Sequence, residues 1–209
     1  MRDTPPALGR FVLGAFLWLP PCFAAWYFSA PFQAAVAGRL ARGLIDLFAP
    51  GVVSGLERQG SDLLFVTTLE VHPGPGLTAV LVPEVNPLLY TYGLALFVAL
   101  MLASRSRWRA ILGGAAILLA FQAWGIAFDL LAQIAPNLGS QATAQAGALD
   151  WRREAIALGY QVGALVFPSL MPVVLWGLFN RSFVQASLRP GGSAASAMQD
   201  CSTGPGASR

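Results

Sequence analysis

Long apolar runs alternate along this chain with shorter stretches in which the charged residues collect. A helix needs about 20 predominantly apolar residues to cross a bilayer, and four runs approach or exceed that length. They are Phe11–Ser29, Pro87–Ala103, Ala110–Leu131 and Ile156–Phe179. The pattern therefore predicts an all-α membrane protein with about four transmembrane helices.

Prolines distinguish the first and the last of these runs. Pro20 and Pro21 lie in the first, and Pro168 and Pro172 lie four residues apart in the last. Because proline lacks a backbone N–H and crowds the preceding turn, we expect both helices to bend. A cleaved signal peptide is the alternative for the first run. However, Pro31 would directly follow the small-residue cleavage site, where proline is poorly tolerated.

The most polar part of the chain, residues 31–86, begins with a helical pattern. Apolar residues recur at helical spacing between Phe32 and Phe48, while Arg39 and Arg42 fall outside that stripe. This arrangement predicts an amphipathic helix that lies at the membrane surface.

A β-hairpin is predicted next. Apolar and polar positions alternate over 63–71, and His72–Gly76 is a turn sequence that leads to a returning strand, 77–82. We expect the surface helix and this hairpin to form an extracytoplasmic insert, 31–86, within a transmembrane domain of residues 1–184. Residues 185–209, rich in Ser, Ala, Gly and Pro, are expected to form a disordered cytoplasmic tail.

Composition narrows the class of protein. Of the 209 residues, 56% are hydrophobic and 11% are charged, whereas soluble domains carry roughly 25% charged residues. Every basic residue is an arginine, and the net charge is +3. The densest basic cluster, Ser104–Arg109, lies between two apolar runs. We therefore interpret it as a cytoplasmic anchor rather than a nucleic-acid surface.

The arginines also predict the orientation, because short cytoplasmic loops of membrane proteins are enriched in basic residues. An N-terminus inside the cell places the arginines of loop 104–109 in the cytoplasm and leaves most acidic residues outside. We therefore expect both termini to be cytoplasmic.

The inventory of reactive residues argues against an enzyme. His72, the only histidine, lies in the predicted hairpin, whereas Cys22 lies near mid-bilayer and Cys201 lies in the tail. A thiol–imidazole pair needs hydrogen-bond contact, so we expect none. Metal binding needs several converging ligands, and a phosphate-binding loop needs a lysine, which the chain lacks. The sequence predicts no catalytic site, no cofactor and no metal.

Polar residues gather instead at the predicted outer ends of the last three runs. Ionisable groups at this depth usually face protein or water and find partners. One interpretation is internal pairing, for instance of Asp129 with Arg153, which would tie helix ends together. The other is a docking surface for another membrane protein or an extracytoplasmic chain. The candidate docking residues are Glu84, Asn86, Asp129, Arg152, Arg153, Glu154, Tyr160 and Gln161.

Four segments resemble a small family, the exosortase H-associated membrane proteins: Phe11–Pro20, Glu84–Gly93, Phe121–Gly125 and Arg153–Gln161. The resemblance extends over most of residues 10–184. It implies an accessory role beside exosortase H, a multi-pass transpeptidase-like enzyme that processes proteins with a short C-terminal sorting tail at the bacterial inner membrane. Exosortases use an outward-facing set of Cys, Arg and His. This chain departs from that set, so the resemblance implies a companion of the sorting enzyme.

The leading hypothesis is a non-enzymatic multi-pass protein of the inner membrane whose outer polar surface contacts exosortase H or its sorted substrates. A small transporter or lipid-handling protein is the first alternative, with the bent first and last helices lining a path. The second alternative is a membrane enzyme that uses the carboxylates of Glu70, Glu84 and Asp129. The expected partners are the lipid bilayer and the exosortase system, without nucleic acid or metal.

Overall fold

The computed structural model describes residues 7–74, 77–141 and 150–188. The helices are α1 Ala7–Phe48, α2 Leu88–Thr91, α3 Gly93–Ala103, α4 Trp108–Gln141, α5 Asp150–Gln161, α6 Phe167–Ser169, α7 Met171–Phe179 and α8 Arg181–Leu188. A π-helical segment, Val162–Val166, joins α5 to α6. The strands are β1 Val53–Gln59, β2 Asp62–Thr67, β3 Glu70–Gly74, β4 Leu77–Val80 and β5 Glu84–Val85.

The first apolar run and the predicted surface helix form one continuous helix. α1 runs for 42 residues, with Pro20, Pro21 and Pro31 inside it. The prediction of a separate surface helix beginning near Phe32 is therefore wrong, and the predicted insert boundary at residue 31 falls within α1. Each proline removes one backbone donor, yet the chain stays helical through all three.

Around and after Pro31, the buried face of α1 consists mainly of small side chains. Ala30, Ala34, Ala37 and Ala41 form a buried stripe, which Ile45 extends. Small residues at helix interfaces let backbones approach closely. The main core therefore joins α1 to α4 and to the three-stranded sheet, and its fully buried members include Ile45, Phe65, Val85, Ile126 and Leu130.

α3 packs antiparallel against α1. Gly14 of α1 lies beside Ala103 at the end of α3, while the Trp26 indole N–H donates to Thr91 Oγ1 over 3.2 Å at the end of α2. Phe11 stacks on Trp176 of α7, with 4.9 Å between the ring centroids. One end of the bundle therefore holds the start of α1 and the end of α7, and the other holds α2 and the strands.

The strands form two small sheets. β1, β2 and β5 are antiparallel in the order β1-β2-β5, and β3 pairs separately with β4. The β3–β4 pair confirms part of the predicted hairpin, but its predicted first strand, 63–71, is broken into β2 and β3 at Thr68–Leu69. β1 was not predicted. Gly60, with φ of 65°, provides the left-handed position for the tight turn from β1 to β2. Residues 75–76 at the hairpin tip lie outside the described residues.

The last apolar run bends as its prolines predict. The helical stretch Arg153–Ser169 meets Met171–Phe179 at 52°. Pro172 has no N–H to offer the carbonyl of Pro168, four residues earlier, so the helical hydrogen-bond ladder is interrupted there. The π-helical segment just before the break is a further irregularity of the same stretch.

Within the described ranges, two helices are long and apolar enough to cross a membrane: α1 over Gly9–Leu47 and α4 over Trp108–Ala135. The bent last run is a third candidate if its two pieces count as one span. Leu88–Ala103 is apolar but shorter, with about 24 Å of helix at 1.5 Å per residue. The prediction of four spans is therefore not confirmed in full.

α8 extends the helical part of the chain into the predicted tail. It ends at Leu188, so residues 185–188 are helical rather than disordered. Residues 189–209, with Cys201 among them, lie outside the described residues, as do residues 142–149 between α4 and α5.

Candidate functional site

A hydrogen-bonded cluster around Asp129 links α2, α4 and β5. The Tyr90 hydroxyl donates to Asp129 Oδ2 over 3.0 Å. The Gln133 amide, one helical turn beyond Asp129, donates to Asp129 Oδ1 over 3.2 Å and to the Glu84 backbone carbonyl over 3.0 Å. Both carboxylate oxygens thus accept a hydrogen bond, which offsets the cost of partly burying this side chain.

The local sequence places Tyr90 in this cluster. Asn86 Oδ1 accepts a hydrogen bond from the Leu88 N–H over 3.0 Å, which satisfies one of the unpaired donors at the start of α2. The Tyr90 ring then packs on Gly125 of α4, where an added Cβ would lie 2.4 Å from a ring carbon. Glycine at position 125 is therefore needed for the ring to reach Asp129.

The predicted docking residues divide between this cluster and the surface. Asp129 is partly buried in the cluster, and Glu84 contributes its backbone carbonyl. The exposed side chains are those of Glu84, Asn86, Arg153, Glu154, Tyr160 and Gln161. Arg152 lies on α5, and its side chain is outside the described part of the structure.

Internal pairing is present at Asp129, but with neutral donors rather than with Arg153. Tyr90 and Gln133 occupy the two carboxylate oxygens. Among residues 7–74, 77–141 and 150–188, no ion pair joins Asp129 to Arg153. Glu70, the third carboxylate of the enzyme hypothesis, pairs through its backbone with Val80 in the separate β3–β4 sheet.

Glycines bring the last run close to α4. An added Cβ at Gly163 would lie 2.8 Å from the Gly125 Cα, and one at Gly159 would overlap the Phe128 ring. The Trp124 indole N–H donates to the Gly159 carbonyl over 3.4 Å. This contact was not predicted, although two glycines four residues apart are typical of closely packed membrane helices.

Three of the four segments that carry the family resemblance meet at this site: Glu84–Gly93, Phe121–Gly125 and Arg153–Gln161. Comparison with known families shows a match over residues 5–183 to the family described as exosortase H-associated membrane protein. This chain belongs to that family. No curated protein and no solved structure matches the chain.

Deeper in this exosortase H-associated membrane protein lies a buried amide. Gln122 is 4% exposed, and its Oε1 has no hydrogen-bond partner among the residues that the structure describes. The side chain borders a cavity of about 10 Å³ together with Tyr90 and Pro168. A space of this size holds at most one water molecule.

A second polar cluster lies at the opposite end of the bundle, between the loop after α3 and the end of α7. The Ser106 hydroxyl donates to Asn180 Oδ1 over 2.8 Å, and the Trp176 indole N–H donates to Ser104 Oγ over 3.2 Å. These bonds hold the short loop after α3 against the end of α7. The role of Ser104 and Ser106 was not predicted, because the arginines of this loop are its stronger sequence signal.

Two of the three reactive residues singled out from the sequence, Cys22 and His72, fall within the described residues, and they lie on different elements. Cys22 lies on α1 and borders an apolar groove of about 440 Å³ between α1 and α3. His72 belongs to β3, and its side chain is outside the described residues. In the described part of the chain, no group of three or more His, Cys, Asp and Glu side chains is arranged to hold a metal ion.

Proposed function

We propose that this protein is a non-enzymatic accessory protein of the bacterial inner membrane that binds exosortase H or the proteins that exosortase H sorts. The observation that carries the proposal is the family match over residues 5–183. The fold agrees with such a role, because the polar groups of the Asp129 cluster are engaged in hydrogen bonds within the chain.

Four membrane crossings form part of this proposal. Leu88–Ala103 runs antiparallel to α1 between the Trp26–Thr91 hydrogen bond and the Gly14–Ala103 contact, and so lies beside the apolar run of α1. A span somewhat shorter than the bilayer is accommodated by local thinning at modest cost. With the arginines of loop 104–109 inside, both termini face the cytoplasm and the strands lie outside.

The proposed contact surface is the polar rim at the strand end, defined by the exposed side chains of Glu84, Asn86, Arg153 and Glu154. Within the described ranges, none of its three charged side chains forms an ion pair. Their charges are therefore free to pair with a partner, and such rim charges contribute chiefly to specificity and association rate. The Asp129 cluster beneath the rim fixes the positions of β5 and α2.

Co-purification with exosortase H in mild detergent tests the association. Glu84→Ala and Arg153→Ala should each reduce the recovered exosortase H several-fold, because each removes a free charge from the rim. Arg107→Ala, an exposed arginine at the opposite end, is the matched control and should leave recovery unchanged. Equal recovery of exosortase H from all three variants would exclude the polar rim as the contact surface. Absence of exosortase H from the wild-type preparation would refute the association itself.

A cellular assay tests the non-enzymatic role. A variant in which Cys22, His72 and Cys201 are all replaced by alanine should still support sorting of a tail-bearing substrate, because exosortase H supplies the chemistry. Loss of sorting while exosortase H still co-purifies normally would contradict this part of the proposal.

A further inference from the structure

An open groove of about 340 Å³ lies between α1 and β1, away from the Asp129 cluster. Arg39 and Arg42 line it from α1, and Arg58 lines it from β1. Among the described residues that line it, Glu57 is the only acidic one. Three positive charges thus face a single negative one in one concave surface.

Gly38 brings the two sides of this groove together. An added Cβ at Gly38 would lie 2.8 Å from Leu63 Cδ1 and 3.3 Å from Leu56 Cδ2. The sheet therefore packs directly on the α1 backbone, and the two leucines form an apolar floor for the groove. The same close contact brings Arg58 of β1 into the groove that Arg39 lines from α1.

Most guanidinium donors in the groove are available to a ligand. Arg42 uses one nitrogen, Nη2, for the carbonyls of Val53 and Ser54, at 3.4 and 3.3 Å. Arg58 Nη1 lies 3.5 Å from the Pro31 carbonyl, at the outer limit of a hydrogen bond. Arg39 has no hydrogen bond or ion pair within the described ranges, and Glu57 forms no ion pair there.

The cationic groove continues an apolar face of α1. Phe28, Phe32, Ala35, Arg39 and Arg42 follow one another at intervals of three or four residues, so they lie on one side of the helix. Phe28 and Phe32 are 83% and 74% exposed. Arg39 lies about 10 Å along the helix axis from Phe32, which is comparable to the distance from acyl chains to headgroup phosphates.

We propose that this groove binds the phosphate of an anionic phospholipid whose acyl chains lie along Phe28 and Phe32. The arginines match the phosphate, because guanidinium groups bind phosphate oxygens through paired N–H donors. The adjoining aromatic face matches the chains and favours a lipid over a free anion. The excess of arginine favours an anionic headgroup over a zwitterionic one, whose amine would face the same positive charges.

Native mass spectrometry of the detergent-purified full chain, supplied with phosphatidylglycerol or phosphatidylcholine, tests this site. The wild type should retain phosphatidylglycerol preferentially. Arg39→Gln and Arg58→Gln should each lower that retention about fivefold, the change expected for one basic residue near an anionic lipid surface. The matched controls Arg107→Gln and Arg109→Gln, exposed at the other end of the bundle, remove the same charge outside the groove and should lower retention less than either groove variant.

Two further arms separate a lipid from a free phosphate and from a folding defect. Inorganic phosphate at millimolar concentration should fail to displace the lipid, and Phe28→Ala with Phe32→Ala should weaken lipid retention. Arg39→Lys with Arg58→Lys keeps both charges and should recover part of the loss. Equal retention of the two lipids by the wild type, unchanged retention by the glutamine variants, or displacement by phosphate alone would overturn the proposal.

Discussion

The two long apolar helices of this protein make contrasting use of their surfaces. In the most apolar 18-residue stretch of α4, 44% is buried within the protein, whereas in the corresponding stretch of α1 only 6% is buried. α4 lies between the other helices, with Ile126 and Leu130 fully buried. α1 leaves large side chains uncovered, such as Leu17 at 74% exposure.

The difference shows that similar hydropathy serves two purposes. An exposed apolar face of this size is stable only against lipid or another membrane protein. α4 instead fills the space between its neighbours, so its side chains specify the packing. The two helices should therefore respond very differently to the same substitution.

The largest expected effect comes from identical leucine truncations on the two helices. Leu130→Ala leaves a cavity at a fully buried position and should lower the free energy of unfolding by about 2–5 kcal/mol. Leu17→Ala, at an exposed position, should change it by less than about 0.5 kcal/mol. Thermal unfolding in detergent measures both. Similar losses for the two variants would show that α1 is also packed inside the protein.

A smaller loss of stability is expected from a substitution at Gly93, where two helix backbones nearly touch. An added Cβ at Gly93 would lie 2.4 Å from the Pro168 carbonyl oxygen, and backbone atoms cannot move aside as a side chain can. Gly93→Ala should therefore lower the free energy of unfolding by about 1–3 kcal/mol. Gly113→Ala, which meets nothing within 4 Å, is the control and should be neutral or stabilising. Equal stability of both variants would refute the close approach of α3 to the bent helix.

Removing one hydroxyl group should produce the smallest of these losses. Tyr90→Phe keeps the ring on Gly125 but removes the donor to Asp129 Oδ2, which should lower the free energy of unfolding by about 1 kcal/mol. Tyr27→Phe, on the exposed face of α1, should leave the unfolding temperature unchanged. A double variant with Asp129→Asn checks the pairing, because the two effects should not add if the groups contact each other.

Backbone chemistry made part of this fold predictable from the sequence. The bend in the last run follows from two prolines four residues apart, since each lacks a donor whatever surrounds it. The continuity of α1 through Pro31 was not predictable in this way. The residues that follow Pro31 pack through Ala37 and Ala41 into a core whose other members, on α4 and in the sheet, come from elsewhere in the chain.

The candidate site shows the same limit. Opposite charges suggested that Asp129 would pair with Arg153, whereas its partners are Tyr90 and Gln133. Gln133 follows Asp129 by four residues, a spacing that makes two residues neighbours on a helix, so this partner was predictable from the sequence. Tyr90 reaches Asp129 only because Gly125 leaves room for its ring, and that requires knowing which helices are neighbours.

The most direct test of the proposed membrane topology is a pair of reporter fusions at Gln59, the last residue of β1, and at Ser106, between α3 and α4. The residues between them include the short apolar helix Leu88–Ala103. If that helix crosses the membrane, the reporters should show Gln59 outside the cytoplasm and Ser106 inside it. Reporters active in the same compartment would contradict the multi-pass arrangement on which the proposed function depends.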